Sequence, residues 1–172
     1  QNRSLLPALP VPRFLLTEVA QGYKDVKERS AVVRFKVKGE DAYILAWTTT
    51  PWTLPSNVAL CVNPDEDYVK VTSKGYIYYM AAALVDTVLG EGAEILEHYQ
   101  GKDLEFKEYE PLFPYAEKRI GNKKAYYVVC DTYVTLTDGT GVVHIAPAFG
   151  EDDSKVGHRY DLPFVQLVNE KR

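Results

Sequence analysis

From Ala31 onward apolar and polar residues alternate with a period of two, Val33, Phe35 and Val37 against Arg34 and Lys36, and short runs of strand-forming residues recur along the rest of the chain. A period of two puts every second side chain on one face of an extended strand, so the pattern demands a sheet with a buried face. Gly39-Glu40-Asp41 supplies a turn before residues 43–47, which predicts a hairpin. Further β-rich runs fall at 58–62, 68–71, 76–79, 95–98, 125–130 and 142–145, separated by Gly, Pro and Asp. Two stretches depart from the pattern. Residues 81–89 read as a helix ended by Gly90, and residues 151–160 as a second helix whose acidic first turn suits the positive end of the helix dipole. The expected fold is α+β, a β-barrel-like domain with a few short helices.

With 172 residues, 46% of them apolar, the chain can bury one sizeable core and is short for two ordinary domains. Its longest apolar stretches, such as 80–85 and 142–148, fall well short of the roughly 20 residues that span a membrane, so a soluble protein is expected; a cytoplasmic setting and a monomer are further expectations. Two cysteines, Cys61 and Cys130, each inside an apolar run, suggest neither a disulfide framework nor a four-ligand metal site. No metal and no cofactor are expected. A net charge of −4 argues against holding nucleic acid mainly by neutralising phosphates. The basic clusters Lys24, Lys27 and Arg29, and Lys118, Arg119, Lys123 and Lys124, read as solvated faces that could also touch a phosphate backbone. Residues 1–16 hold three prolines and no acidic residue, and read as an extended linker or foreign leader before a domain of residues 17–172.

Two segments invite a chemical reading. Thr48-Thr49-Thr50-Pro51-Trp52-Thr53-Leu54-Pro55-Ser56-Asn57 follows an apolar strand directly, and Pro51 and Pro55 remove backbone donors, so a rigid loop rich in hydroxyls is expected. Such a loop can orient a water or an ester carbonyl; it can equally cap its own backbone. The second segment runs from Asp138 to Asp153, a strand, a break at Pro147 and an acidic helix start. His144 sits near the strand's exit. Asp153 falls in the helix's first turn, where backbone N–H groups favour a carboxylate able to grip a cation such as an α-ammonium group. The plain alternative is an ordinary helix N-terminus with a satisfied core histidine.

These two segments, about ninety residues apart, closely resemble the two signature segments of the isoleucyl-tRNA synthetase editing domain. Glu18-Val19-Ala20-Gln21-Gly22-Tyr23-Lys24-Asp25-Val26 and Tyr109-Glu110-Pro111-Leu112-Phe113 are similar to that family as well, so the resemblance runs from about Glu18 to the end. The valyl and leucyl sister enzymes continue with Arg-Pro-Glu-Thr or Arg-Pro-Asp-Thr after two threonines, whereas here Thr50-Pro51-Trp52-Thr53 follows, which favours the isoleucyl branch. Residues 1–16 do not resemble the cysteine-containing zinc segment expected before Glu18, and neither the HIGH-type nor the KMSKS-type motif of the aminoacylating machinery occurs. The expectation is an excised editing module without aminoacylation.

The resemblance implies hydrolysis of valine wrongly attached to the isoleucine tRNA. Asp153 would bind the α-ammonium group, and Thr48, Thr49 and Thr50 would hold the ester and the attacking water. Trp47, Trp52 and Asn57 would shape the pocket. His144 would be a steric wall, with a general base as the alternative. The implied partners are the mischarged tRNA acceptor end, valyl-adenylate or valyl-adenosine, and the rest of a synthetase. A rival reading is a non-catalytic module that binds the aminoacylated acceptor end without cleaving it.

Overall fold

The structure, a computed structural model, describes residues 30–166, apart from the side chains of residues 114–116, together with the backbone of the strand Phe14–Leu16. The basic cluster at Lys24, Lys27 and Arg29 and the family-like segment from Glu18 to Val26 lie outside the described residues. Phe14–Leu16 is strand β1, so the last residues of the stretch read as a leader pair with β2, Phe14 opposite Val33.

The alternating run forms the expected hairpin. β2 (Ala31–Lys36) and β3 (Tyr43–Thr48) are antiparallel, with Lys36 opposite Tyr43 and Ala31 opposite Thr48, and Gly39 adopts a φ of 78° in the turn. The other edge of β3 is divided. Its start pairs in parallel with β6 (Tyr76–Ala81), Tyr43 beside Tyr78, and its end pairs in parallel with β9 (Val142–Ile145), Trp47 beside Val143. On the β6 side follow β5 (Asp67–Ser73) and β7 (Glu94–Gln100); on the β9 side follow β4 (Ala59–Val62) and β8 (Tyr127–Cys130). Residues 106–110 then join β8 back to the end of β2. Phe106 N–H donates to the Val128 carbonyl at 2.7 Å, Tyr109 N–H to Tyr126 at 3.0 Å, and Glu110 N–H to Lys36 at 2.8 Å. These bonds curl the second wing into a barrel.

Side-chain alternation separates two cores. Phe35, Ile44, Leu60, Val62, Val128 and Val142 point inward and are all buried. The opposite faces of β4, β8 and β9, carrying Ala59, Cys61, Val129 and Ile145, pack under Val156 of the helix Glu151–Tyr160 and under Leu162.

That helix has the bounds expected from its acidic start and is labelled α2. The other helix is shorter than its sequence pattern suggests. Ala81 belongs to β6 because its N–H is taken by the Thr140 carbonyl at 2.9 Å; a 3-10 turn, Ala82–Leu84, then leads into α1 (Val85–Leu89). The hydroxyl-rich segment differs as well. Thr48 is still the last residue of β3, and Pro51–Ser56 forms a 3-10 helix, begun by a proline whose fixed φ suits a first helical position.

Gly139 fixes the approach to β9. It has a φ of 74°, and a Cβ there would lie 2.5 Å from the indole ring of Trp47. Gly139→Ala would combine left-handed backbone strain with that clash, and is expected to lower unfolding free energy by about 1 to 3 kcal/mol, read as a shifted urea midpoint at unchanged slope.

Candidate functional site

β3 and β9 end side by side at one mouth of the barrel. Trp47 and Val143 are paired on the outer face, so the next residue of each strand, Thr48 and His144, falls on the interior face at the same level. Both are buried, at 6% and 8% exposure. Trp47 faces the other way and packs against Gly139. Trp47 and Thr48 thus line opposite sides of the sheet.

Beyond Thr48 the hydroxyls form a compact cluster. Thr50 N–H donates to Thr48 Oγ1 at 3.0 Å, and Thr50 Oγ1 lies 3.4 Å from Thr48 Oγ1 and 3.2 Å from Thr53 Oγ1. The Thr53 hydroxyl reaches the Thr50 carbonyl at 2.9 Å and His144 Nε2 at 2.9 Å. The capping and the chemical expectations for this loop are therefore divided among its members. Thr48 and Thr53 are committed to the protein's own groups, whereas Thr49 and Thr50 are exposed, and the Thr49 hydroxyl has no partner among the described residues. Trp52 stands at the start of the 3-10 helix with 55% exposure.

His144 is held on both nitrogens, Nε2 by Thr53 and Nδ1 by Asn57 Nδ2 at 3.1 Å. Burial, which disfavours the imidazolium, pushes its pKa down to about 4. Asn57 also donates to the Ala59 carbonyl at 2.9 Å and accepts from the buried Tyr109 hydroxyl, so its amide is consumed within the protein. Asn57 touches His144, and both ends of its amide are engaged within the protein. Thr53 and Tyr109 had no role assigned from sequence. Thr53 stands inside the threonine segment, but Tyr109 is brought in by the closing segment 106–110, and only pairing across the barrel could have revealed it.

Asp153 lies in the first turn of α2, and its Oδ2 accepts the Ala146 N–H at 2.8 Å. Ala146 is two residues past His144, so this bond ties the helix start to the rim that carries the hydroxyl cluster. The helix-start argument favours the ionised carboxyl, but burial raises its pKa; the N–H groups of Ala146 and Asp153 oppose that rise and Asp152 reinforces it. A carboxyl with a raised folded pKa carries a cost for the folded chain once it ionises, and among the described residues no ion pair relieves it. A cation placed there would. An open depression lined by Pro147, Phe149, Glu151, Ser154 and Phe164 flanks the same connection on its outer side.

The depressed pKa of His144 has a stability consequence with a definite sign. The unfolded chain takes up a proton near the ordinary histidine value of about 6.5 while the folded chain does not until about 4, so stability is full above pH 6.5 and is lost as pH falls through that window. Between pH 6.5 and 5 the His144 contribution to urea stability should fall on the order of 2 kcal/mol, read as the difference from a His144→Gln variant because Asp153, with its raised folded pKa, acts with the opposite sign.

No family model matches the chain. It is 58% identical over 153 residues to an isoleucine–tRNA ligase of Clostridium acetobutylicum, covering 88% of this chain and 14% of that protein. It is 49% identical over 155 residues to an isoleucine–tRNA ligase of Bacillus thuringiensis, covering 90% and 15%. The chain thus spans about one seventh of the length of these relatives. Among solved structures it resembles the editing domain of the P. knowlesi cytosolic leucyl-tRNA synthetase, with a TM-score of 0.57 at 14% identity over 77% of this chain and 63% of that one. It also resembles GlLeuRS-CP1, with a TM-score of 0.54 at 20% identity over 71% and 51%. At those identities the likeness concerns the fold. The chain belongs to the isoleucine–tRNA ligase family, matching one piece of those enzymes, and that piece has the fold of a synthetase editing domain.

Proposed function

We propose that this domain removes valine wrongly esterified to the isoleucine tRNA, by hydrolysis. The observation that carries the reading is the half-buried Asp153 carboxylate, without a cation partner among the described residues, tied through Ala146 to the rim where Thr49 and Thr50 stand exposed beside a buried, uncharged imidazole. An aminoacyl ester presents the complement: an ammonium group, an ester carbonyl and a short apolar side chain.

The need for such a site follows from size. A pocket that accepts isoleucine also admits valine, since one methylene is worth only about 1 to 3 kcal/mol of discrimination, so a second site must accept the smaller residue and reject the larger. In this reading Asp153 anchors the ammonium and the Thr48–Thr50 segment holds the ester and a water. Trp52 offers an exposed ring beside them, and Trp47 supports the rim from the outer face. His144 acts as the wall that rejects isoleucine's extra methylene. An imidazole hydrogen-bonded on both nitrogens and neutral down to about pH 4 is poorly suited to take a proton from water, which favours the wall over the general base. Water attack needs no covalent intermediate here, because an ester is already activated and positioning with oxyanion stabilisation lowers the barrier. The substrates are the mischarged acceptor end and its valyl-adenosine or valyl-adenylate fragments; delivery falls to the rest of a synthetase, since the chain's net charge is −4. The setting is the cytoplasm; no helix among the described residues is long and apolar enough to cross a membrane.

Two variants test the reading against a module that only binds. Asp153→Asn removes a charge that costs the folded chain stability, so its Tm should equal or exceed wild type while release of labelled valine from mischarged tRNA falls by at least about a hundredfold. Wild-type hydrolysis by the folded variant would remove Asp153 from the site. His144→Ala should retain valine release and gain release of correctly attached isoleucine; loss of both in a folded protein would make His144 the base instead. Saturable tRNA binding by the wild-type chain without any release, at high protein concentration, would support the binding module.

A further inference from the structure

The wall has a deep anchor. Asn57 makes three hydrogen bonds whose directions are not free: the Ala59 carbonyl can only accept, so it must face Asn57 Nδ2, and the Tyr109 hydroxyl then donates to Asn57 Oδ1. The second Nδ2 hydrogen points at His144 Nδ1, which must accept it and therefore carries no proton. The ring's proton then sits on Nε2 and is donated to Thr53 Oγ1, whose own hydrogen goes to the Thr50 carbonyl. Every donor in this chain meets an acceptor, and reversing any one member puts two donors or two acceptors face to face. Both ring nitrogens are thereby withheld from a ligand, and the ring's carbon edge and faces are what remain.

We infer that Tyr109 and Asn57 are positioning residues for specificity: the Tyr109 hydroxyl, through the Asn57 amide, locks His144 as its Nε2–H tautomer in one orientation and so sets where the site stops a side chain. Tyr109 is suited to this. Its ring is buried in the barrel, edge-on to Phe35 at 5.2 Å and to Tyr126 at 6.0 Å, so its hydroxyl has little freedom to move. Discrimination by one methylene needs a wall placed to a few tenths of an ångström, and a ring held only at its outer nitrogen could swing aside. The inner bond to Asn57 prevents that swing. Protonation is opposed by the same geometry, since a hydrogen on Nδ1 would face the Asn57 Nδ2 hydrogens.

This inference rests on the proposed editing reading for its effect on specificity, but its structural half can be measured without any substrate. In the full chain carrying nitrogen-15 histidine, long-range nitrogen–proton correlation at pH 7 should show His144 with unprotonated Nδ1 and protonated Nε2 as a single species; a protonated Nδ1 would overturn the lock. Asn57→Asp replaces the donor with an acceptor and should move the proton to Nδ1, and an unchanged spectrum would sink the role of Asn57. Tyr109→Phe keeps the ring and removes only the hydroxyl. It should blur the single tautomer and raise isoleucine release relative to valine release by about five- to tenfold, with the valine rate near wild type, whereas a purely structural role would lower both rates together. An unaltered ratio with an unaltered spectrum would remove Tyr109 from the device. If the wild-type chain releases no valine at all, the editing reading fails while the spectra still decide the lock.

Discussion

The division of one edge of β3 between two strands is the constraint on which the rest of the molecule depends. A strand flanked on one side by β2 along its whole length has a single remaining row of backbone groups, and here its first half serves β6 and its last residues serve β9. The sheet must therefore open at that point. One wing continues through β5 to β7, and the other curls through β4 and β8 until residues 106–110 return it to β2. Because β9 meets β3 only at its end, the two strands terminate together, and their successor residues are delivered to one rim.

That rim gathers polar groups in a place where polar groups are costly. His144, Asn57, Thr48 and Thr53 are all buried, and a buried donor or acceptor left unpaired costs on the order of 1 to 3 kcal/mol. The structure meets this by spending hydroxyls and amides on one another, from Tyr109 through Asn57 and His144 to Thr53 and the Thr50 carbonyl. Thr49, Trp52 and Asp153 are left over, and the Thr50 hydroxyl, though exposed, meets the hydroxyls of Thr48 and Thr53; under the proposed function these are the groups that face a ligand. Asp153 stands apart among them because it is the ionisable one, and the cost of its partial burial is relieved either by protonation or by a cation beside the carboxylate.

Much of this was legible in the residues. The hairpin, the run of short strands and the bounds of α2 follow from alternation, glycine turns and an acidic first turn, because these are local properties of a few neighbouring side chains. The helix expected at 81–89 was overdrawn for a non-local reason: Ala81 has the composition of a helix residue but lends its N–H to Thr140, 59 residues away in sequence. The segment after Trp47 read as a rigid loop and is largely a 3-10 helix, since prolines forbid a ladder without specifying what replaces it. Thr48, His144 and Asp153 could be named from their segments. That Thr48 and His144 share a rung, that Trp47 faces away from both, and that Tyr109 reaches Asn57 depend on strand register across the barrel, which no local pattern encodes.

Under the proposed function, the same network that suits the imidazole to act as a wall makes it a poor base, and the two roles exclude each other for a physical reason. A general base must keep a lone pair aimed at water and hold its proton affinity near the working pH. An imidazole whose Nδ1 accepts from an amide and whose Nε2 donates to a threonine has neither, and removing either bond to free a nitrogen would also free the ring to move. A site built this way must draw its rate from elsewhere. Holding water and ester in contact converts a bimolecular encounter into a unimolecular step, with effective molarities that can reach about 10⁵ M or more, and donors already fixed around a developing oxyanion need no reorganisation when charge appears. An ester tolerates this division of labour because its alkoxide leaving group departs without prior protonation by a general acid and itself takes up the proton lost by the attacking water. An amide would not, so under the proposed function the neutrality of His144 restricts the site to activated acyl groups as firmly as its position restricts the side chain.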